Sequence, residues 1–502
     1  MTVNNRPRGV EFGSELTGYR TETCDVCVVG SGPGGATAAY ELARAGRSVI
    51  LIEEGSLPQS GAQLPMQGAL AKYYRDAGLF TTAWPTQLPV PTGRVFGGTS
   101  VINSGTCFHT PDRIFNWWEE DCGVAFDRAA WRAVEAEIDG DLSITRCPEE
   151  KMSKSNQLFA EGLKRIGLDG GKPLMRCSST CDGAGRCCFV CPDDAKQAMH
   201  VTLLRRGLEN GMRAIIETHA ATLLQRGRKV LGLVCRTAAG GRLEIHAKTF
   251  ILAMGTFETP NFLLKNHLRS LYPALGHHLS IHPAAKVFAE MPEPIRSWEG
   301  VPQAYGYDHP DYPDVHFEGV FVPPFLGAIN VPFLGADLSE WMRVYDHLAG
   351  HGFFVADSTL GRLFRVPGIG PVVRYGLSEK DLDGFFFAMK LIARAYFAVG
   401  ARRVLLPLLN PKNVYYSEDE LERGFRRKDL RARELYAMGF HPLGTCRFSP
   451  TIESGVVDRN GRCHQHDNLY ICDGSAIPGP LHVNPQITIM AFSRLASRNL
   501  ME

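Results

Sequence analysis

The stretch CDVCVVGSGPGGATAAYELARAGRSVILIEEG, Cys24 to Gly55, decides how the rest of the chain is read. Its apolar run Val26–Val29 has the length and composition of a buried strand. Gly30, Gly32 and Gly35 follow in G-x-G-x-x-G spacing, then a helix-favouring segment, Ala36–Ala45. A second apolar strand, Ser48–Ile52, ends at Glu53. Each part has a physical reason. Gly30 permits a tight strand-to-helix turn, Gly32 lets the backbone approach a pyrophosphate, and Gly35 lets helix and strand pack closely. The free N–H groups and partial positive charge of the helix N-terminus then face phosphate oxygens. Glu53 stands where an acid accepts hydrogen bonds from a ribose diol. A glycine-rich turn without a ligand needs neither the strand, the helix nor the acid. The pattern predicts a dinucleotide site, without choosing between FAD and NAD.

A chain of 502 residues is too long for one simple core, so at least two domains are expected. Its composition, 44% hydrophobic and 21% charged, is that of an ordinary soluble protein. A formal net charge of +1 gives no reason to expect nucleic acid or an acidic membrane as a partner. Residues 1–20 hold no apolar signal core and no twin arginine, and no apolar run is long enough to span a bilayer. The expected location is the cytoplasm, unless the chain is exported bound to another subunit. Fourteen cysteines is a generous number for a reducing compartment. Five fall between Cys177 and Cys191, which indicates a local use.

Segments that read as a nucleotide-binding α/β core recur at both ends and in the middle. They include a second glycine-rich stretch, Gly93–Pro111, short strands around Ala214–Ile216, Val230–Cys235 and Leu243–His246, and an apolar strand, Thr249–Ala253. Between Pro283 and Pro371 the composition shifts towards Phe, Pro and Gly, and a helix is expected over Glu379–Val399. The order predicts a discontinuous dinucleotide domain, residues 20–115, 199–275 and 435–502. Residues 116–198 form an insertion with a cysteine-rich loop, and residues 276–434 form an α+β substrate-binding domain.

Two further stretches carry chemistry: HPLGTCRFSP from His441 and NLYICDGSAIPGPLHVNPQITIMA from Asn468. With the opening fingerprint, Gly93–Asn103 and Gly255–Leu264, they resemble the glucose–methanol–choline (GMC) flavin oxidoreductase family along the whole chain. The nearest likeness is to its cholesterol-oxidase-like branch and to bacterial FAD alcohol and glucose dehydrogenases. One local match departs: where the family usually shows Ser-Gly, this chain has Asn266-His267. The resemblance implies FAD and a GMC-type, Rossmann-like α/β fold. By motif, Gly30, Gly32, Gly35 and Glu53 would hold the ADP half, with Ala221 beside adenine. Gly98, Asn103 and Thr106 would follow the pyrophosphate and flavin ring. Asp473 would lie near the ribityl chain, and Asn484, Pro485 and Thr488 would close over the isoalloxazine.

His441 and Asn484 form the expected catalytic pair. Oxidising an alcohol removes the hydroxyl proton as a hydride leaves carbon, and a neutral imidazole of ordinary pKa suits that proton. A neighbouring asparagine fixes the same oxygen without adding a titrating group. His482, two residues before Asn484, is expected to do no more than line the pocket. Cys181, Cys187 and Cys191 read C-x5-C-x3-C-P, with Cys177 and Cys188 nearby. Such thiols can ligate an iron–sulfur cluster, hold zinc, form disulfides or stay free. The spacing resembles the three-iron, four-sulfur site of bacterial FAD glucose dehydrogenases. A cluster would pass electrons from FAD to a cytochrome-like protein or small subunit and make the chain a dehydrogenase. Without a cluster, dioxygen serves and peroxide is formed. A non-redox lyase on the same fold is the third reading. Cys24, Cys27, Cys235 and Cys472 are expected to be small core residues. The apolar run from Phe317 and the Glu379–Val399 helix, if they roof the pocket, imply an apolar or aromatic alcohol. The bland alternative is that they form only their own domain's core.

Overall fold

Val26–Val29 is the inner end of a longer strand, Tyr19–Val29, at the middle of an eight-stranded sheet. The computed structural model describes residues 6–59, 64–178 and 180–501. The sheet runs Val10–Phe12, Arg213–Ile216, Val49–Ile52, Tyr19–Val29, Arg242–Leu252, Lys229–Thr237, Thr218–Arg226. Leu469–Ile471 pairs beside the end of Arg242–Leu252. The first five strands are mutually parallel, and the last two form an antiparallel meander. Residues from the start, middle and end of the chain thus share one sheet. The two separate strands expected at Leu243–His246 and Thr249–Ala253 are one, Arg242–Leu252, because it pairs with Tyr19–Val29 along its whole length.

The helix after the glycine loop, Pro33–Arg44, starts with Pro at its first position, where a missing N–H costs nothing. Ala36, Ala38, Ala39, Leu42 and Ala43 bury its inner face, and alanine lets it lie close to the sheet. The last helix, Gln486–Asn499, packs alongside. Its buried Arg494 pairs with Glu41 at 2.9 Å and Asp141 at 2.6 Å, so the two ends of the chain share one ionic anchor. Cys24, Cys27, Cys235 and Cys472 are all buried in this core, as small apolar residues are.

A second eight-stranded sheet is antiparallel throughout, in the order Val414–Tyr415, Arg403–Leu405, Pro283–Glu290, Leu348–Val355, Val315–Glu318, Tyr305–Asp308, Lys172–Pro173. Met438–Gly439 joins it beside Pro283–Glu290. Side chains alternate faces along a strand. Val287, Ala289, Val315, Phe317, Phe353 and Val355 point to a core shared with the helix Glu379–Ala398. That helix starts in a capping box between Ser378 and Asp381. It therefore backs the sheet and does not roof a pocket, which corrects half of the roofing expectation. The opposite face presents Ala284, Lys286, Glu318, Gly352 and Phe354 to a cavity between the two sheets.

His351 sits in the helix-side core, stacked on Phe159 at 3.8 Å, and among the described residues neither ring nitrogen has a hydrogen-bond partner. Burial lowers its pKa to about 3. The unfolded chain therefore binds this proton first, so stability falls as pH drops from about 6.5 towards 3. His351→Leu should reduce the loss of unfolding free energy between pH 6.5 and 5 by about 2 kcal/mol, read from urea melts. An identical pH slope in both proteins would contradict this.

Candidate active site

A cavity of about 1190 Å³ runs from the glycine loop to the second sheet. Gly30, Gly32 and Glu53 line one end, Gly98, Asn103, Thr106 and Asp473 line its length, and His441, Asn484 and Pro485 line the other end. Gly30 has φ of +101°, and a Cβ there would collide with the Ala253 carbonyl, so the turn requires glycine. Gly35 lies off the wall, packed against the Gly30 carbonyl, as close helix–strand packing demands. Glu53 accepts from Ser31 N at 3.0 Å and from Gly55 N at 2.7 Å, and burial raises its pKa. Its neighbour Glu54 opposes burial through His219 and Arg75, which hold its pKa at about 2. Asp473 accepts from Gly255 N at 2.8 Å, Thr259 Oγ1 at 2.5 Å and Ser475 N at 2.8 Å, tying the Gly255–Thr259 turn to its own loop. Asn103 donates to Gln486 Oε1 at 2.7 Å, and Thr106 donates to Gln303 Oε1 at 2.7 Å.

Three expectations move. Thr218, His219 and Ala220 line the cavity, and Ala221 lies one residue beyond them, off the wall. Thr488 is fully buried against Thr110, with Oγ1 atoms 2.9 Å apart. Gln486 and Ile489, one turn apart on the same helix face, reach the cavity in its place. His482 turns away to Asp314, 3.4 Å off, and does not line the wall. At the departure from the family pattern, His267 takes a left-handed φ of +62°, the conformation glycine adopts most easily. Asn266 uses its side chain to accept from Leu223 N at 2.8 Å.

At the far end two pairs converge. His441 Nδ1 lies 3.0 Å from His282 Nδ1, and the Phe354 ring stacks on His282 and stands edge-on to His441. His282 is held by Asp357, which accepts from Ser280 Oγ at 2.6 Å, from His282 N at 2.9 Å and from the Tyr375 hydroxyl. Burial lowers the pKa of His441 to about 3 and that of His282 well below its usual value. His441 is therefore neutral at any working pH, further from titration than the sequence led one to expect. Across the cavity, Asn484 Nδ2 donates to Glu318 Oε1 at 3.0 Å, and among the described residues Asn484 Oδ1 and Glu318 Oε2 have no hydrogen-bond partner. Burial raises the Glu318 pKa. His316 Nε2 is 3.8 Å from Glu318, and its Nδ1 meets Asp308 at 2.5 Å. Burial opposes a charge on His316, yet the Asp308 bond leaves its pKa raised. His282, Glu318, His316 and Asp357 carry no local sequence signal, since sheet pairing alone assembles them.

The cysteine loop is not built as a metal site. Among the described residues no group of three cysteine, histidine or acidic side chains could hold a metal ion. Each sulfur has its own donor: Cys181 accepts from Gly183 N at 3.4 Å, Cys187 from Arg176 Nη2 at 3.3 Å, and Cys191 from Lys196 N at 3.5 Å. The buried cations Arg176 and Lys196 occupy the middle of the cluster, with Lys196 Nζ donating to three carbonyls, Val101, Asn103 and Cys187. Cys177 faces Cys107, whose hydrogen bond lowers its pKa to about 7. The expected ligand set Cys181, Cys187 and Cys191 does not fit a cluster in this arrangement.

The dinucleotide end fits an ADP moiety: a glycine turn, a helix N-terminus and buried carboxylates face one continuous cavity. The GMC oxidoreductase family pattern matches residues 70–284 and 368–493, and that of FAD dependent oxidoreductases matches residues 25–58. An uncharacterized GMC-type oxidoreductase of Mycobacterium tuberculosis is 32% identical over 478 residues, 93% of this chain and 74% of the relative. A long-chain-alcohol oxidase of Arabidopsis thaliana is 26% identical, over 99% of this chain and 69% of that protein. Pyridoxine 4-oxidase from Mesorbium loti superposes with a TM-score of 0.72 at 18% identity, covering 95% of this chain and 99% of that one. The chain belongs to the GMC oxidoreductase family and is an FAD-dependent oxidoreductase.

Proposed function

We propose that the chain oxidises an apolar primary or secondary alcohol to the carbonyl compound, with dioxygen taking the electrons. The observation that carries this reading is the convergence of the His441–His282 and Asn484–Glu318 pairs around Phe354, at a cavity that Val320, Val322 and Leu326 also line. The apolar run from Phe317 thus supplies a roof, although the long helix does not. FAD, held along Gly30, Gly32, Gly98 and Asp473, supplies the hydride acceptor when bound. Because His441 Nδ1 is taken by His282, Nε2 is the nitrogen left for the substrate hydroxyl. A neutral ring accepts that proton at any working pH. Its low basicity makes transfer favourable only as negative charge builds on the oxygen during hydride loss.

Asn484 holds the same oxygen, and Glu318 sets its direction. When Glu318 is ionised, Nδ2 must donate to it. When Glu318 is protonated, the amide can turn over, accept the acid proton on Oδ1 and present Nδ2–H to the developing alkoxide. Burial, which raises the Glu318 pKa, favours the second arrangement.

Relatives named as oxidases support dioxygen as acceptor. A second reading, delivery to an acceptor protein, is favoured by Cys188 and Phe189 of the cysteine loop, which reach the cavity wall. Decan-1-ol should bleach the flavin of the holoenzyme anaerobically, and in air one peroxide should appear per aldehyde. Dye reduction without peroxide would replace the oxidase by the dehydrogenase. No bleaching by any alcohol would remove both.

A further inference from the structure

Lys286 stands on the cavity face of the Pro283–Glu290 strand, and its role is not used by the chemistry above. Its ammonium lies 5.5 Å from the centroid of Phe288 and 5.4 Å from that of Phe321. Among the described residues no carboxylate or carbonyl is within hydrogen-bond or ion-pair distance of Nζ. The slot is shaped for it: a Cβ at Gly350 would press on Phe288 at 3.1 Å, Phe321 at 3.2 Å and the Lys286 stem at 3.3 Å. Burial lowers the Lys286 pKa to about 8, so a large part of the population is charged near neutrality. Burial raises the nearby Cys188 thiol to about 11, so it supplies no counter-charge.

A half-buried ammonium on a cavity wall favours an anionic partner, since two aromatic rings replace only part of its hydration. A molecule that fills the cavity and displaces its water is placed to supply that partner. Register gives its place relative to the chemistry. Ala284 pairs with Phe354, whose ring packs on both His441 and His282, while Lys286 pairs with Gly352. Lys286 is thus two residues, about 7 Å of strand, beyond the aromatic that packs on the histidine pair. Val320, Val322 and Leu326 line the same cavity.

We propose that Lys286 binds a carboxylate at the far end of an apolar substrate whose hydroxyl lies at His441, so that the preferred substrates are hydroxy fatty acids. The proposal rests on the alcohol reading for its hydroxyl end but not for its anion end, and the two are tested separately. Octanoate and octan-1-ol are titrated calorimetrically into the holoenzyme, into Lys286→Met and into Lys286→Arg. Octanoate should bind Lys286→Met at least about ten-fold more weakly than wild type. Lys286→Arg should recover to within about three-fold, and octan-1-ol should bind all three alike. Equal octanoate affinity in wild type and Lys286→Met overturns the anion site.

A wild-type measurement keeps the test decisive if the methionine variant does not fold. The wild-type enzyme should favour 8-hydroxyoctanoate over octan-1-ol in catalytic efficiency by about ten-fold or more. A preference for octan-1-ol overturns the proposal. If neither compound reduces the flavin, the alcohol reading fails, and the octanoate titration still decides whether Lys286 binds an anion.

Discussion

Flavin reduction by an alcohol should be about a thousand-fold slower in His441→Ala, with FAD still bound. That factor corresponds to about 4 kcal/mol of transition-state stabilisation. Its origin is the loss of the His441 ring nitrogen that the His282 contact leaves for the hydroxyl proton. His441 belongs to no part of the dinucleotide end, so cofactor retention separates loss of chemistry from loss of fold. His282→Ala should cost less, about ten-fold, because it removes the partner that fixes the tautomer and leaves the base in place. Since burial holds the His441 pKa near 3, neither rate should show a histidine titration between about pH 5 and 9. An unchanged reduction rate in His441→Ala would overturn the assignment. A limb near pH 6.5 that vanishes with His441 would show that the ring is less buried in the working enzyme than in this structure.

What the sequence could show depended on how local each feature is. Gly30, Gly32, Gly35 and Glu53 lie within one strand–turn–helix–strand unit, so spacing alone placed the dinucleotide end. His441 and Asn484 were legible through motif resemblance, although they lie 43 positions apart. Ala221 missed by one residue, because the cavity wall ends at Ala220 on that strand. Thr488 failed through helical geometry, since it lies two residues from Gln486 and about 200° around the axis. The cysteine loop misled for a different reason. Spacing brings thiols near one another along the chain, but Arg176 and Lys196 come from its flanks and give Cys187 and Cys191 separate donors. His282, Lys286 and Glu318 were invisible because antiparallel pairing of Pro283–Glu290, Leu348–Val355 and Val315–Glu318 brings together segments 36 to 70 positions apart. Nothing in their immediate neighbours distinguishes them from other polar residues of a half-buried strand.

Glu318 gives the second large effect and a pH signature of its own. Glu318→Ala should lower kcat by about 10² by leaving the Asn484 amide unanchored. Asn484→Ala should lose a similar amount, and the double variant should be little worse than either single one, since both remove one device. Glu318→Gln should keep most of the activity, because its amide N–H can donate permanently to Asn484 Oδ1. The groups facing Glu318 are Asn484, Gln303, His316 and, through His316, Asp308. Burial is the largest influence and raises the Glu318 pKa, while His316 and Asn484 oppose it. If the protonated acid is the active form, activity is present at low pH and is lost as pH rises through that raised pKa. The wild-type rate should therefore fall on its alkaline side, and Glu318→Gln, which has no proton to lose, should stay flat. A merely structural Glu318 predicts the same pH profile for both proteins. That outcome, or a Glu318→Gln rate as low as Glu318→Ala, would remove it from the reaction and leave Asn484 to orient the substrate alone.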